Sequence, residues 1–466
     1  MGGLFSSLSN SLGALQAVES ALAVSQNNVS NANTPGYADQ VAVLNSQSFN
    51  LSGGLTGGVE YGGTRSTQNE YVDQAVQTQF SAQGYFNAQS SPLSSIQSLF
   101  DVSGQTGLTG DINALFQSFS AWSATPNTTT AQAVLTQAQT VAQDFQAASA
   151  SLSQTATSVN QQISANVNQI NTLASAIQTD NVAIQNGGGV SNPGVQANLE
   201  ASLESLSQVA NVTTSFAANG TATVLLGGQT PLVMGSQQFA IQASFSGSGN
   251  PAGASILDSN GQDITSQVTQ GSLGGLLSVS NTILPSIQGN GTQQGSLNQL
   301  AQQIADRVNS VLTSAQTSGG QAGTPLFTYD ATDPSDVAQT LALDPTTTAS
   351  NLAPVAPGPP AVSNGAALQL SNLGNSTAPA DQIGGQTILQ FLSGMATQAG
   401  QNAANATAGS DLHTQLLTQS QALQTQVSGV SLDAEAAQVL QLQQEYQAAG
   451  KMVTVIDTLA NTLITM

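Results

Sequence analysis

The sequence predicts an α+β fold that is mainly α: paired terminal coiled-coil helices, a long helical rod domain and a small inserted β domain. Three observations carry this. Apolar residues recur at helical spacing at both ends of the 466-residue chain. One such pattern runs without a break over about residues 131–185. Between the helical segments, residues 209–284 alternate and contain two Asn-Gly hairpin signals, at Asn219-Gly220 and Asn260-Gly261.

Taken in order, Leu4, Leu8, Leu12, Leu15, Val18, Leu22 and Val29 lie three, four or seven apart and put one stripe on a helix over 4–29. Asn33-Thr34-Pro35-Gly36 ends it, because Pro and Gly break helices. Residues 37–70 are Gly-rich and read as an extended segment with short strands. A weak helical pattern covers 76–100, and Asp111 is expected to cap a short helix bearing Ile112, Leu115, Phe119 and Trp122. The pattern over 131–185 predicts a rod about 80 Å long, ended by Gly187-Gly188-Gly189 and Pro193. Ser296 with Gln299 has capping-box spacing before Leu297, Leu300, Ile304, Val308 and Val311. Further helices carry Ile388, Leu392, Met395 and Ala399, then Leu412, Leu416, Leu423 and Val427, with a break at Gly429. Val439, Leu442, Tyr446, Ala449, Val453, Ile456, Ala460 and Leu463 alternate steps of three and four, an a/d seam that packs along a second helix. The expected domains are a terminal helical one (1–75 and 405–466), a helical rod (76–205 and 286–404) and an inserted β-rich one (206–285).

Composition excludes several functions. Only 6% of residues are charged, where about 25% is usual. Against 24 acids stand three bases, Arg65, Arg307 and Lys451, for a net charge of −21. Nucleic acid and anionic membranes need cations to neutralise phosphate, so neither is an expected partner. Without cysteine there is no disulfide framework and no thiolate metal site. No base precedes Arg65, so a Sec-type leader is not expected, and no apolar run suggests membrane insertion. An acidic habitat would account for the missing bases, since protonated carboxyls leave a nearly neutral surface.

Catalytic groups are scarce. His413 is the single histidine, so one subunit holds no Ser-His-Asp triad and no two-His metal site. It is expected on a solvated helix face. Lys451 is followed by Met452, which rules out a Walker phosphate loop. Asp258, Asn260 and Asp263 lack the spacing and terminal Glu of a calcium loop and read as a hairpin turn. Trp122 reads as a core anchor. The expectation is no enzyme, no catalytic residues, no cofactor and no metal.

Two motifs carry a resemblance. Asn27-Asn28-Val29-Ser30-Asn31-Ala32-Asn33-Thr34-Pro35-Gly36-Tyr37 resembles the N-terminal signature of the flagellar rod, hook and hook-associated family. Ser428-Gly429-Val430-Ser431-Leu432-Asp433-Ala434-Glu435 and Gln444-Glu445-Tyr446-Gln447-Ala448-Ala449 resemble its C-terminal signature. Within the family, the long helix, Gly271-Ser272-Leu273-Gly274-Gly275-Leu276-Leu277 and Gly323-Thr324-Pro325-Leu326-Phe327 resemble the hook-associated branch. The Arg that family members carry after Gly-Tyr is replaced here by Ala38-Asp39-Gln40.

The resemblance implies a structural subunit at the hook–filament junction, outside the cell, exported by the flagellar type III system. The partners it implies are copies of itself, the hook protein, a second junction protein or flagellin, and an export chaperone. Its assembly interface would be Leu8, Leu12, Leu15, Val18, Leu22 and Val29 with Val439, Leu442, Tyr446, Val453, Ile456 and Leu463. The turn Asn33, Thr34, Pro35, Gly36 and Tyr37 would set the geometry between terminal helix and outer layers. A hook or distal-rod protein, and a coiled-coil surface adhesin, are the alternatives.

Overall fold

Apolar periodicity places the helices where it is strongest, and the computed structural model shows them over the residues it describes: 2–50, 55–100, 106–188, 192–245, 253–291 and 293–465. In chain order they are α1 (Gly2–Asn31), β1 (Gln40–Asn50), β2 (Leu55–Ser66), α2 (Glu70–Ser98), α3 (Gly107–Ala124), α4 (Thr128–Ala183), α5 (Pro193–Val209), β3 (Val212–Phe216), β4 (Ala222–Leu226), β5 (Thr230–Met234) and β6 (Gln237–Gln238). There follow β7 (Gln242–Ser244), β8 (Ser255–Leu257), α6 (Gly271–Ser278), α7 (Leu284–Gln288), α8 (Ser296–Thr313), β9 (Phe327–Thr328), α9 (Val337–Thr340), β10 (Ala342–Leu343), α10 (Gly365–Asn372), α11 (Ile388–Ser428) and α12 (Leu432–Thr465). The fold is mainly helical with small antiparallel sheets, as the sequence predicts.

Compactness divides the chain into two units. The first comprises Met1–Ala82, Gln169–Ala240 and His413–Met466, the second Gln83–Asn168 and Ile241–Leu412. In the first, α1 packs on α12 and on the β1–β2 hairpin. The hairpin is longer than the short strands expected, pairing from Gln40 with Ser66 to Asn50 with Leu55, with an irregularity between Ala42 and Leu44. Its glycines lower strand propensity, which hid it from periodicity. The last turns of α4 bury Ile170, Ala174 and Ile177. Asn181, fully buried, donates to the carbonyls of Ala222 (2.7 Å) and Gly235 (2.9 Å) and accepts from Ala222 N. It thus satisfies backbone groups of the four-stranded sheet β3-β4-β5-β6.

The second unit is built on Ile112, Leu115, Phe119 and Trp122 of α3, Val134, Val141, Phe145 and Leu152 of α4, and Leu297, Leu300, Ile304 and Val308 of α8, all buried. Trp122 is a core anchor, as expected. Two family-like segments owe their composition to close packing. Gly275 of α6 leaves no room for a side chain against the Tyr85 backbone, and Gly323 none against the Leu312 carbonyl. Asn309 of α8 then accepts from the backbone N–H groups of Leu326 (2.8 Å) and Phe327 (2.9 Å).

Several local expectations are corrected. Helix α3 begins at Gly107 after Thr106, so Asp111 lies inside it rather than capping it. The cap before α8 is Gly295, and Ser296 is already helical with no capping bond. The two helices expected over 388–428 are one, α11. At both Asn-Gly sites the loop has three residues rather than two. Ala217 N bonds Thr221 O, Asp258 N bonds Gln262 O, and Gly220 (φ 88°) and Gly261 (φ 79°) take the left-handed position. His413 is half-buried, its Nδ1 2.9 Å from Gln79 Oε1, rather than solvated.

Candidate functional site

The two signature segments, 27–37 and 428–435, meet in the first unit. Thr34-Pro35-Gly36-Tyr37 is a β-turn closed by Tyr37 N to Thr34 O at 3.1 Å. Proline presets the first central residue and Gly36, at φ 73°, supplies the left-handed second one. A side chain at Gly36 would overlap the Ala197 carbonyl of α5. On the other side, Ser431 starts α12, accepting Glu435 N at 2.9 Å, and Asp433 and Glu435 place acids in its first turn, where the helix dipole favours them.

Asn28, 1% exposed, is the hub. Its Nδ2 donates to Asp39 Oδ1 (2.6 Å), the Gln40 carbonyl (2.8 Å) and Glu435 Oε1 (3.0 Å). Its Oδ1 accepts from Gln40 N (3.1 Å) and the Tyr37 hydroxyl (2.9 Å). Ser25 Oγ donates to Glu435 Oε2. The backbone completes the joint: Asp39 N donates to Ser428 O at 2.8 Å, and Thr67 N to Asp39 O at 2.9 Å. Burial, then the charges of Asp39 and Glu435, push the Tyr37 hydroxyl up to about 12. Burial, then the neighbouring Glu435, push the Asp39 carboxyl up to about 6.

A cavity of about 250 Å³ lies against the turn, lined by Pro35, Gly36, Asp73, Glu200, Gln424 and Ser428 among others. Gln68 and Gln77 donate to Glu200 (2.9 and 3.3 Å), and Gln424 donates to both Asp73 (2.9 Å) and Glu204 (3.1 Å). Burial first, then the other acids, pushes Glu200 up to about 8. Asp73 and Glu204 are likewise raised, chiefly by burial.

The expected seams sit as follows. Val18 and Leu442 are buried together with Ala21, and Leu22 packs on them. Leu8, Leu15, Val439, Val453 and Ile456 are half-buried. Leu12 (45%), Val29 (44%) and Tyr446 (40%) are exposed. The side chain of Leu463, like that of Leu4, lies outside the described residues. Asn33, Thr34 and Pro35 are exposed while Gly36 and Tyr37 are half-buried. The buried face of α1 is made by Ala17, Val18, Ala21, Ser25 and Asn28, so small and polar residues take the places where a leucine stripe is expected. Ser25, Asp39 and Glu435 were invisible as a site because hydrogen bonding across hundreds of residues has no periodicity; the motifs containing Asn28 and Glu435 were the available signal.

Among the described residues no group of three or more His, Cys, Asp and Glu could hold a metal ion, and no helix is long and apolar enough to cross a membrane. The geometry offers joints between helices.

Residues 93–327 match the model of a family described as Flagellar hook-associated protein FlgK helical domain, which is half of the chain. The chain belongs to that family. A stretch of 142 residues is 25% identical to Flagellar hook-associated protein 1 of Bacillus subtilis (strain 168), covering 28% of this chain and 28% of that relative's length. The fold is similar to the flagellar hook junction protein FlgK from Burkholderia pseudomallei, with TM-score 0.64 and 16% identity over 77% of this chain and 100% of that one. In this FlgK-family chain, the α1–turn–α12 joint is where the two terminal segments meet.

Proposed function

We propose that this chain is a structural subunit of the bacterial flagellum that forms the hook–filament junction and performs no catalysis. Its membership of the FlgK family through residues 93–327 carries the reading. In it, segments 1–75 and 405–466 form the inner tube, 76–205 and 286–404 the rod, and 206–285 an outward-facing part. The chain is exported through the flagellar type III route and reaches the outside of the cell. It then assembles with copies of itself, the hook protein, and a second junction protein or flagellin, after release from a chaperone.

The assembly surface is the pair of terminal helices. The α1–α12 seam closes within one subunit, while α12 presents a second stripe to solvent: Met452 (64% exposed), Val455 and Leu459 at three- and four-residue steps. That stripe is the face a neighbouring subunit covers. The seam residues Leu8, Leu15, Val18, Leu22, Val439, Leu442, Val453 and Ile456 hold the helix pair, and Leu12, Val29 and Tyr446 extend its rim. Asn33, Thr34, Pro35, Gly36 and Tyr37 fix the exit angle from α1.

Electron microscopy of cells lacking the gene, with flagellin assayed in the medium, tests the role. Bare hooks with flagellin lost to the medium are expected. Normal flagella would overturn it, and absent hooks would move the chain to the rod or hook.

A further inference from the structure

We propose that the groove between α1 and the β1–β2 hairpin of one copy receives the outer face of α12 of a second copy, with Lys451 as the cation that enters it. The groove has a volume of about 700 Å³ and is lined by Leu12, Gln16 and Glu19 of α1 and by Gln47, Glu60 and Tyr61 of the hairpin, among others. Leu12 and Tyr61 are exposed apolar side chains, and Glu19 and Glu60 are exposed acids. Gln47 donates to Glu60 at 3.0 Å and steadies that carboxylate, which keeps further acceptor positions open. Among the described residues no base lines the groove, so its two acids stand without a counter-charge.

The chain itself carries the complement. Of its three bases, Arg307 is committed to Asp381, 2.7 Å away. Arg65 lies on the hairpin, opposite Val41. Lys451 is the single lysine, is exposed on α12, and among the described residues is in no ion pair. It stands beside Met452 and one turn before Val455, so the cation and the exposed stripe Met452, Val455 and Leu459 form one ridge. That ridge faces solvent, because α12 turns its Leu442 side to Val18 and Ala21 of α1. Docked in the groove, Lys451 enters beside Glu19 and Glu60 while Met452 and Val455 cover Leu12 and Tyr61. Between copies that each carry a net charge of −21, an isolated cation on an apolar ridge selects the place where they meet. Groove and ridge are different surfaces of one compact unit, so the contact repeats head to tail and builds a ring or helix. The inference rests on the junction reading and names what covers the outer face of α12 in it.

Charge reversal tests it. Lys451→Glu and Glu60→Lys change exposed positions and are expected to leave thermal unfolding of the purified chain as it is. Each is expected to lower the amount of the chain in isolated hooks about ten-fold, through like charges brought together at the contact. The two reversals combined in one chain exchange the charges across the contact, and recovery of most of the loss is expected. Should Glu60→Lys fold poorly, Glu19→Lys takes its place against the same Lys451→Glu. Hooks that carry the wild-type chain and are indifferent to the reversals, or a double variant as poor as the single ones, would overturn the inference and leave the junction reading standing. A groove filled by the hook protein gives that second result, since its surface is unchanged. Hooks without the wild-type chain would overturn the junction reading and this contact with it.

Discussion

Asn28 Nδ2 lies 3.0 Å from Glu435 Oε1, joining residues 407 positions apart. Both side chains are buried, and each sits in a segment resembling a different end of the same family signature. The contact therefore ties the last turn of α1 to the first turn of α12 by a buried hydrogen bond. It also gives those signatures a physical content: the amide is there because it can donate and accept at once.

Asn28→Ala removes donors to Asp39, Gln40 and Glu435 and strands the Gln40 N–H. Buried groups left without partners cost about 1–3 kcal/mol each, so a loss of about 2–4 kcal/mol is expected. Urea denaturation of the purified chain measures it.

Gly36→Ala is expected to destabilise by about 2 kcal/mol or more. The added Cβ meets the Ala197 carbonyl and stands 2.9 Å from Ala201 N, and the backbone is left-handed. Gly261→Ala, with the same backbone region but open space around it, should cost about 1 kcal/mol. Thermal unfolding of the two variants separates steric overlap from backbone strain.

Stability should fall as pH rises, the reverse of ordinary acid unfolding. Burial holds Glu200 up at about 8; burial and a neighbouring Asp111 hold Asp144 up at about 7; and Asp39 lies at about 6. An acid raised in the folded state binds more protons folded than unfolded between the two values, so stability declines from about pH 4 through pH 8. The melting temperature is expected to be higher at pH 5 than at pH 8. Asp144→Asn, which can donate to Asp111, should recover about 1 kcal/mol at pH 8, discounted for exposure, and nothing at pH 5.

Leu442 and Leu440 face opposite ways on α12, at 6% and 61% exposure. Leu442→Ala should cost about 2–4 kcal/mol in the monomer by opening the contact with Val18 and Ala21. Leu440→Ala should change it by no more than about 0.5 kcal/mol. Chemical denaturation of each variant checks the difference. If neighbouring subunits cover the outer face, Leu440→Ala combined with Met452→Ala impairs incorporation at hook tips without unfolding the chain.

The helices were legible because burying one face imposes a period, and the stripes of α3, α4 and α8 are the core. The turn at Pro35-Gly36 was legible because φ demands it. The β1–β2 hairpin was not, since its glycines blur alternation. Nor was the polar hub: Ser25 and Asn28 fall on the helix face where periodicity expects leucine, and their partners come from distant chain. Asp73 lies far in sequence from Glu200 and Glu204, and only the fold sets Gln424 between Asp73 and Glu204.

Ser25 and its acceptor Glu435 are 410 residues apart. At about 5–20 residues per second of synthesis, Glu435 is added roughly 20–80 s after Ser25. Through that interval α1 has no helix to pack on, and its small-residue face stays open while the chain between is made. The clasp, and the Leu442 contact made after it, are among the last that a ribosome can supply, and a chain stopped before residue 435 has only the β1–β2 hairpin packed on its N-terminal helix.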